Sequence, residues 1–126
     1  MSSSLFADVC QSIIGLDKMI RFAGIANIRR TIASAKYRDG LVPLLTQEET
    51  IESIEHSISR MSTRRLMESK LGKTIYSITL YEKVKRAIIP IGKDGDFVLM
   101  VSFDNEADHD SIIRNKIMPL VSHHQI

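Results

Sequence analysis

Phe97-Val98-Leu99-Met100-Val101 is apolar at every position, and this run restricts the fold more than any other feature of the chain. Successive side chains of a strand point to opposite faces, so a strand with one wet face alternates apolar with polar residues; unbroken apolarity requires cover on both faces. The run therefore predicts a central strand over Asp96 to Phe103, in a sheet flanked by helices on both sides. With 126 residues there is material for one core and not for two. Residues 1–126 are expected to form a single domain, with 118–126 as a frayed tail.

The rest of the chain supplies the other elements. Leu5, Phe6, Val9, Cys10, Ile13 and Ile14 share one helical face, with Ser2-Ser3-Ser4 as a candidate cap and Gly15 and Asp17 as the stop. Ile20 to Asn27 and Thr31 to Tyr37 read as a hairpin turning at Arg29-Arg30. The small residues Ala23, Gly24, Ala26, Ala33 and Ala35 predict a close approach to the backbone there, by a helix. Thr46-Gln47-Glu48-Glu49 is a capping box that opens a long helix. Ile51, Ile54, Ile58 and Met61 form its buried stripe, and Gly72 its stop. Thr74 to Tyr81, Val84 to Ile91 and Asp96 to Phe103 then form a meander. Its turns are Glu82-Lys83 and Gly92-Lys93-Asp94-Gly95. A final helix carries Ile112, Ile113, Ile117 and Leu120, with Pro119 ending or bending it.

Composition excludes several classes. Hydrophobic residues at 44% and charged residues at 25% argue against disorder. A net charge of +2 gives no basic surface of the kind that nucleic acid demands. The single Cys10 has no partner for an intrachain disulfide, which fits a reducing compartment and a cytoplasmic location. The first residues have no basic segment followed by an apolar run, so export is not expected. The apolar stretches fall far short of the ~20 residues of a membrane-spanning helix.

The order helix, two strands, helix, three strands, helix resembles the roadblock family within the wider roadblock, longin and profilin-like architectures. The resemblance rests on the strand pair Phe22 to Asn27 and Thr31 to Ala35, the helix from Thr46 and the meander ending in Phe97 to Phe103. Met19-Ile20-Arg21-Phe22-Ala23, Leu71-Gly72, Tyr81-Glu82-Lys83-Val84 and Leu99-Met100-Val101-Ser102 are also similar to a group of small archaeal proteins, a likeness that implies no function. The roadblock resemblance implies an α+β domain with a five-stranded antiparallel sheet and helices on both faces. It further implies homodimers or heterodimers paired through the first meander strand beside the long helix, and a role as a platform for small GTPases, motors or signalling partners. On that expectation the dimer interface involves Thr74, Tyr76, Ile78, Leu80 and Met67. The strand has no internal proline or lysine, so at a sheet edge it would leave backbone groups in need of a neighbour.

The remaining candidates are weaker. Arg60, Arg64 and Arg65 make a basic spot suited to phosphate or to a partner's carboxylates. Arg65 also continues the direction of the buried stripe, so either the helix bends or leaves the sheet after Met61, or Arg65 extends past the core edge and contacts an acidic partner or ligand. Glu52, His56, Arg60 and Arg64 follow an exposed ridge. Lys83, Lys85 and Arg86 make a second basic spot, sufficiently explained by solubility and blunting of strand ends. Gly72-Lys73-Thr74 lacks the earlier glycine of a phosphate loop and follows a helix instead of preceding one. Asp108, His109, Asp110, His123 and His124 fit no metal-ligand spacing. Neither a serine elbow nor a carboxylate pair is present for catalysis. The expected protein is a non-enzymatic homodimer without cofactor. A small-ligand sensor of PAS or GAF type is the alternative, distinguished by a cavity between sheet and helices.

Overall fold

The computed structural model describes residues 3–29, 31–124 and 126. Ser2 of the expected first cap and Arg30 of the expected hairpin turn lie outside them. Helix α1 (Ser3–Ile14) leads to β1 (Ile20–Asn27) and β2 (Ile32–Tyr37). Helices α2 (Gln47–Arg65) and α3 (Glu68–Leu71) follow, then the meander β3 (Ser77–Leu80), β4 (Val84–Ile91) and β5 (Phe97–Asp104). The chain ends in α4 (His109–Ile112), a π-helical segment (Ile113–Ile117) and α5 (Met118–His123).

The five strands form one antiparallel sheet in the order β2-β1-β5-β4-β3. The all-apolar strand β5 is central, as its lack of alternation requires. On one face Leu99, Val101 and Phe103 join Ala23 and Ile25 of β1 beneath Phe6, Val9 and Ile13 of α1 and Ile113 and Ile117 of the last helical segments. Burying a side chain of this size contributes about 1.5–3 kcal/mol, and this larger cluster supplies most of the core. Cys10 belongs to it and is fully buried. Burial pushes its thiol up to about 11, partly offset by a hydrogen bond with Ser34, which makes it unreactive.

On the other face Val98 and Met100 of β5, Phe22 and Ala26 of β1 and Ile88 of β4 meet Ile54, Ile58 and Met61 of α2. Thr46 caps α2: its Oγ1 accepts from Glu49 N at 3.1 Å, while Glu49 Oε1 accepts from Thr46 N at 2.9 Å.

Four local expectations are corrected. The small residues of the hairpin do not serve one helix, because they alternate: Ala23 faces α1, whereas Gly24 and Ala26 face the opposite side. A Cβ on Gly24 would lie 2.7 Å from Cζ of Phe22, so a neighbouring ring needs the space. The long helix does not run on to Gly72. It stops at Arg65 and resumes as α3, whose C-cap is Gly72 at φ 87°. The tail expected to fray is helical over Met118–His123, with Val121 buried against the core. Pro119 neither ends nor simply bends that helix. Lacking an N–H, it leaves the carbonyl four residues earlier without its usual donor. The preceding turn widens so that Met118 N donates to Ile113 O five residues back, the spacing of a π-helix.

Candidate interaction surface

Strand β3 is an edge of the sheet, paired with β4 on one side only, from Ser77 opposite Ile88 to Leu80 opposite Lys85. It is shorter than the sequence pattern implies, since residues 74–76 lead into it without pairing. Thr74 N donates to a Glu68 carboxylate oxygen at 2.9 Å, which holds that carboxyl below its ordinary value. Tyr76 and Ile78 turn toward the larger core cluster. Leu80 remains 62% exposed and Met67 56%. Ile75, Leu66 and Leu71 are exposed as well.

Tyr76 ties the strand's entry to the last helical region. Its hydroxyl donates to Asp110 Oδ1, which also accepts from Arg114 Nε at 2.9 Å, and the Arg114 guanidinium lies 5.7 Å from the Tyr76 ring centroid. The hydrogen bond to Asp110 pushes the Tyr76 phenol up, and the same bond, aided by Arg114, holds Asp110 down. Asp108 caps α4, its Oδ1 accepting from Ser111 N at 3.2 Å.

The three arginines at the end of α2 diverge. Arg65 extends past the core edge, and its Nη2 donates to the carbonyl of Asp94 in the β4–β5 turn at 2.9 Å. Arg60 leans on Ser57, with Nη2 to Oγ at 3.4 Å. Arg64 is exposed. The second basic spot is likewise divided by the sheet: Lys85 Nζ donates to Ala107 O at 2.7 Å, while Arg86 stands on the face that carries α2. Neighbouring residues of a strand point apart, so adjacency in sequence did not make a patch. No group of three metal-ligating side chains occurs among the described residues.

Sequence reasoning missed a row that crosses the whole sheet on the α2 face. Thr79 of β3 pairs with Arg86 of β4, Arg86 with Ser102 of β5, Ser102 with Phe22 of β1, and Phe22 with Tyr37 of β2. The Phe22 and Tyr37 rings are tilted together at 4.9 Å between centroids. The alternation in β4 places Arg86 on the face of Ile88, but the row exists only once the strand register is known. Helix α2 covers its Phe22 side and leaves Thr79, Arg86 and Tyr81 in a trough bounded by Ser57 and Arg60.

No family model matches the chain, and no curated protein does. Solved structures match over most of its length. A roadblock/LC7 domain from Streptomyces avermitilis superposes with a TM-score of 0.73 at 11% identity, covering 94% of this chain and 93% of that one. The gliding protein MglB from Thermus thermophilus gives 0.71 at 10% identity, covering 97% and 84%. MglC from Myxococcus xanthus gives 0.59 at 9%, covering 94% and 98%. A further MglB structure, described as having a tetrameric arrangement, gives 0.68 at 12%, covering 97% and 91%. Identity this low speaks for architecture alone, and the architecture is shared over most of both chains: the chain has the roadblock fold.

Proposed function

We propose that the protein is a non-enzymatic interaction module that pairs with a second copy of itself along β3 and offers the joined surface to a protein partner, a small GTPase or another signalling protein. The carrying observation is the open edge of β3. Ser77–Leu80 is bonded to β4 alone, and nothing within the described residues blunts it with a proline or an inward charge. An unprotected edge of this kind is satisfied by a matching strand. The exposed Leu80, Ile75 and Met67 add apolar area beside it that is costly to leave in water. The tetrameric arrangement of one structural neighbour supports self-association, and the partner class is the one that the roadblock resemblance implies.

Light scattering coupled to size exclusion tests the reading across a concentration series. The wild-type chain is expected to elute at twice the monomer mass. Leu80→Lys, which places a charge on an exposed edge position without entering the core, is expected to shift it to monomer while leaving the circular dichroism spectrum unchanged. A wild-type monomer at every concentration would refute self-association.

A further inference from the structure

The half-buried Arg86 side chain has no hydrogen bond or ion pair among the described residues. The arginines around it are satisfied: Arg21 and Arg38 share Asp104, and Arg65 at the end of α2 holds the Asp94 carbonyl. A cation drawn partly out of water without a counter-charge is destabilising, so its position needs a reason. Arg86 lines three adjoining hollows on the α2 face. In the first it lies with Thr79, Ser57 and Arg60. In the second it shares a wall with Phe22 and Ser102. The third, about 460 Å³ and open to solvent, is lined by Leu44, Leu45, Tyr81 and Val84. Leu44 is 59% exposed and Tyr81 51%. Among the described residues Glu82 is the single carboxylate that lines any of the three.

The trough thus combines an unpaired guanidinium, hydroxyls on either side of it and an adjoining apolar hollow. We propose that it docks an acidic segment of a protein partner, seating one Asp or Glu carboxylate on Arg86 and the neighbouring apolar side chains between Leu44, Leu45 and Tyr81. A guanidinium takes a carboxylate through two parallel hydrogen bonds, and the Thr79 and Ser102 hydroxyls, one strand away on each side, can donate to its remaining lone pairs. The apolar hollow selects a peptide over a free anion, because phosphate would leave it empty. This surface lies on the face of the sheet, whereas pairing through β3 uses backbone groups in its plane. The two readings therefore fail separately.

Random peptides displayed on phage test this, selected on the full chain and counter-selected on Arg86→Met. The expected winners carry Asp or Glu flanked by Leu, Phe or Met. A synthetic winner, followed by fluorescence anisotropy, should lose at least about tenfold in affinity on Arg86→Met, and as much when its carboxylate is replaced by the amide. Inorganic phosphate should not displace it. The thermal midpoint of Arg86→Met without peptide should stay level or rise, since the arginine serves a ligand and not the fold. No enrichment over the counter-selection, winners without a carboxylate, displacement by phosphate, or a midpoint that falls by several degrees would each overturn the proposal.

Discussion

Asp104, the last residue of β5, and Arg38, just beyond β2, are 66 positions apart in sequence and joined at 2.8 Å between Oδ2 and Nη1. Arg21 of β1 completes the cluster through Nη1 to Oδ1 at 3.1 Å. The carboxylate thereby fastens the end of the central strand to its neighbour and to the exit of the edge strand beyond.

The first prediction concerns acid stability. The hydrogen bond from Arg38, followed by that from Arg21, holds the Asp104 carboxyl below its ordinary value of 3.8. A lowered folded-state value contributes stability that is fully present above the unfolded value and is lost as pH falls through the folded one. Asp104→Asn should cost about 1–2 kcal/mol at pH 7. Its stability should then decline less between pH 5 and pH 2 than that of the wild type, since less remains to be lost. Urea unfolding at a series of pH values checks both statements; parallel curves would show that the cluster does not couple to folding.

The second concerns Gly24. Adding a methyl group there places Cβ 2.7 Å from Cζ and 2.9 Å from Cε2 of Phe22. Both residues belong to the face under α2, where Phe22 is buried. Gly24→Ala should destabilise by about 1–3 kcal/mol through overpacking, although alanine suits a strand better than glycine. Shortening the ring with Phe22→Leu should make the same alanine tolerable. The double variant should therefore be more stable than the sum of the single losses by roughly 1 kcal/mol, as measured by a denaturant double-mutant cycle.

The third concerns α2, which meets the sheet through the single stripe Ile54, Ile58 and Met61. With so narrow a seam, its end interactions carry more of its stability than they would in a helix buried on two sides. Thr46→Ala removes the side-chain acceptor for Glu49 N and should cost about 1 kcal/mol. Hydrogen exchange should show the loss concentrated in the first turns of α2, with the amides of β5 affected only through global unfolding.

How far the sequence disclosed these features depended on the range of the interactions involved. Strand β5 was legible because its apolarity is continuous, and the start of α2 because both halves of the capping box lie within four residues. The break between α2 and α3 was legible only as one of two readings of Arg65, and its position was not. The stretch Arg65-Leu66-Met67 contains neither glycine nor proline, and the helix stops where its buried stripe, which ends at Met61, has no further sheet to meet. Strand β3 was read four residues too long, three of them at its start, for a related reason: Tyr76 alternates correctly with Ile78, but its hydroxyl is engaged by Asp110. The trough around Arg86 was invisible, because its residues come from separate strands and meet only through register.

The fourth prediction concerns that tyrosine. The hydrogen bond to Asp110 raises the Tyr76 phenol above its ordinary value of 10.0, with desolvation and the Asp110 charge adding to it. Asp110→Asn removes the charged acceptor, so the Tyr76 titration should move down toward the ordinary value. Ultraviolet titration resolves this against a background of two other tyrosines, Tyr37 and Tyr81, and Tyr76→Phe identifies the curve that belongs to Tyr76. Tyr76→Phe should also loosen the entry to β3, since the ring keeps its place beside the core cluster while its link to the last helical region is lost. Amide exchange at Ser77–Leu80 should accelerate more than exchange in β4, and dissociation of the proposed dimer should rise with it, because an edge strand must be held straight before a second one can pair with it. Unchanged exchange at Ser77–Leu80 would show instead that pairing with β4 alone orders the edge.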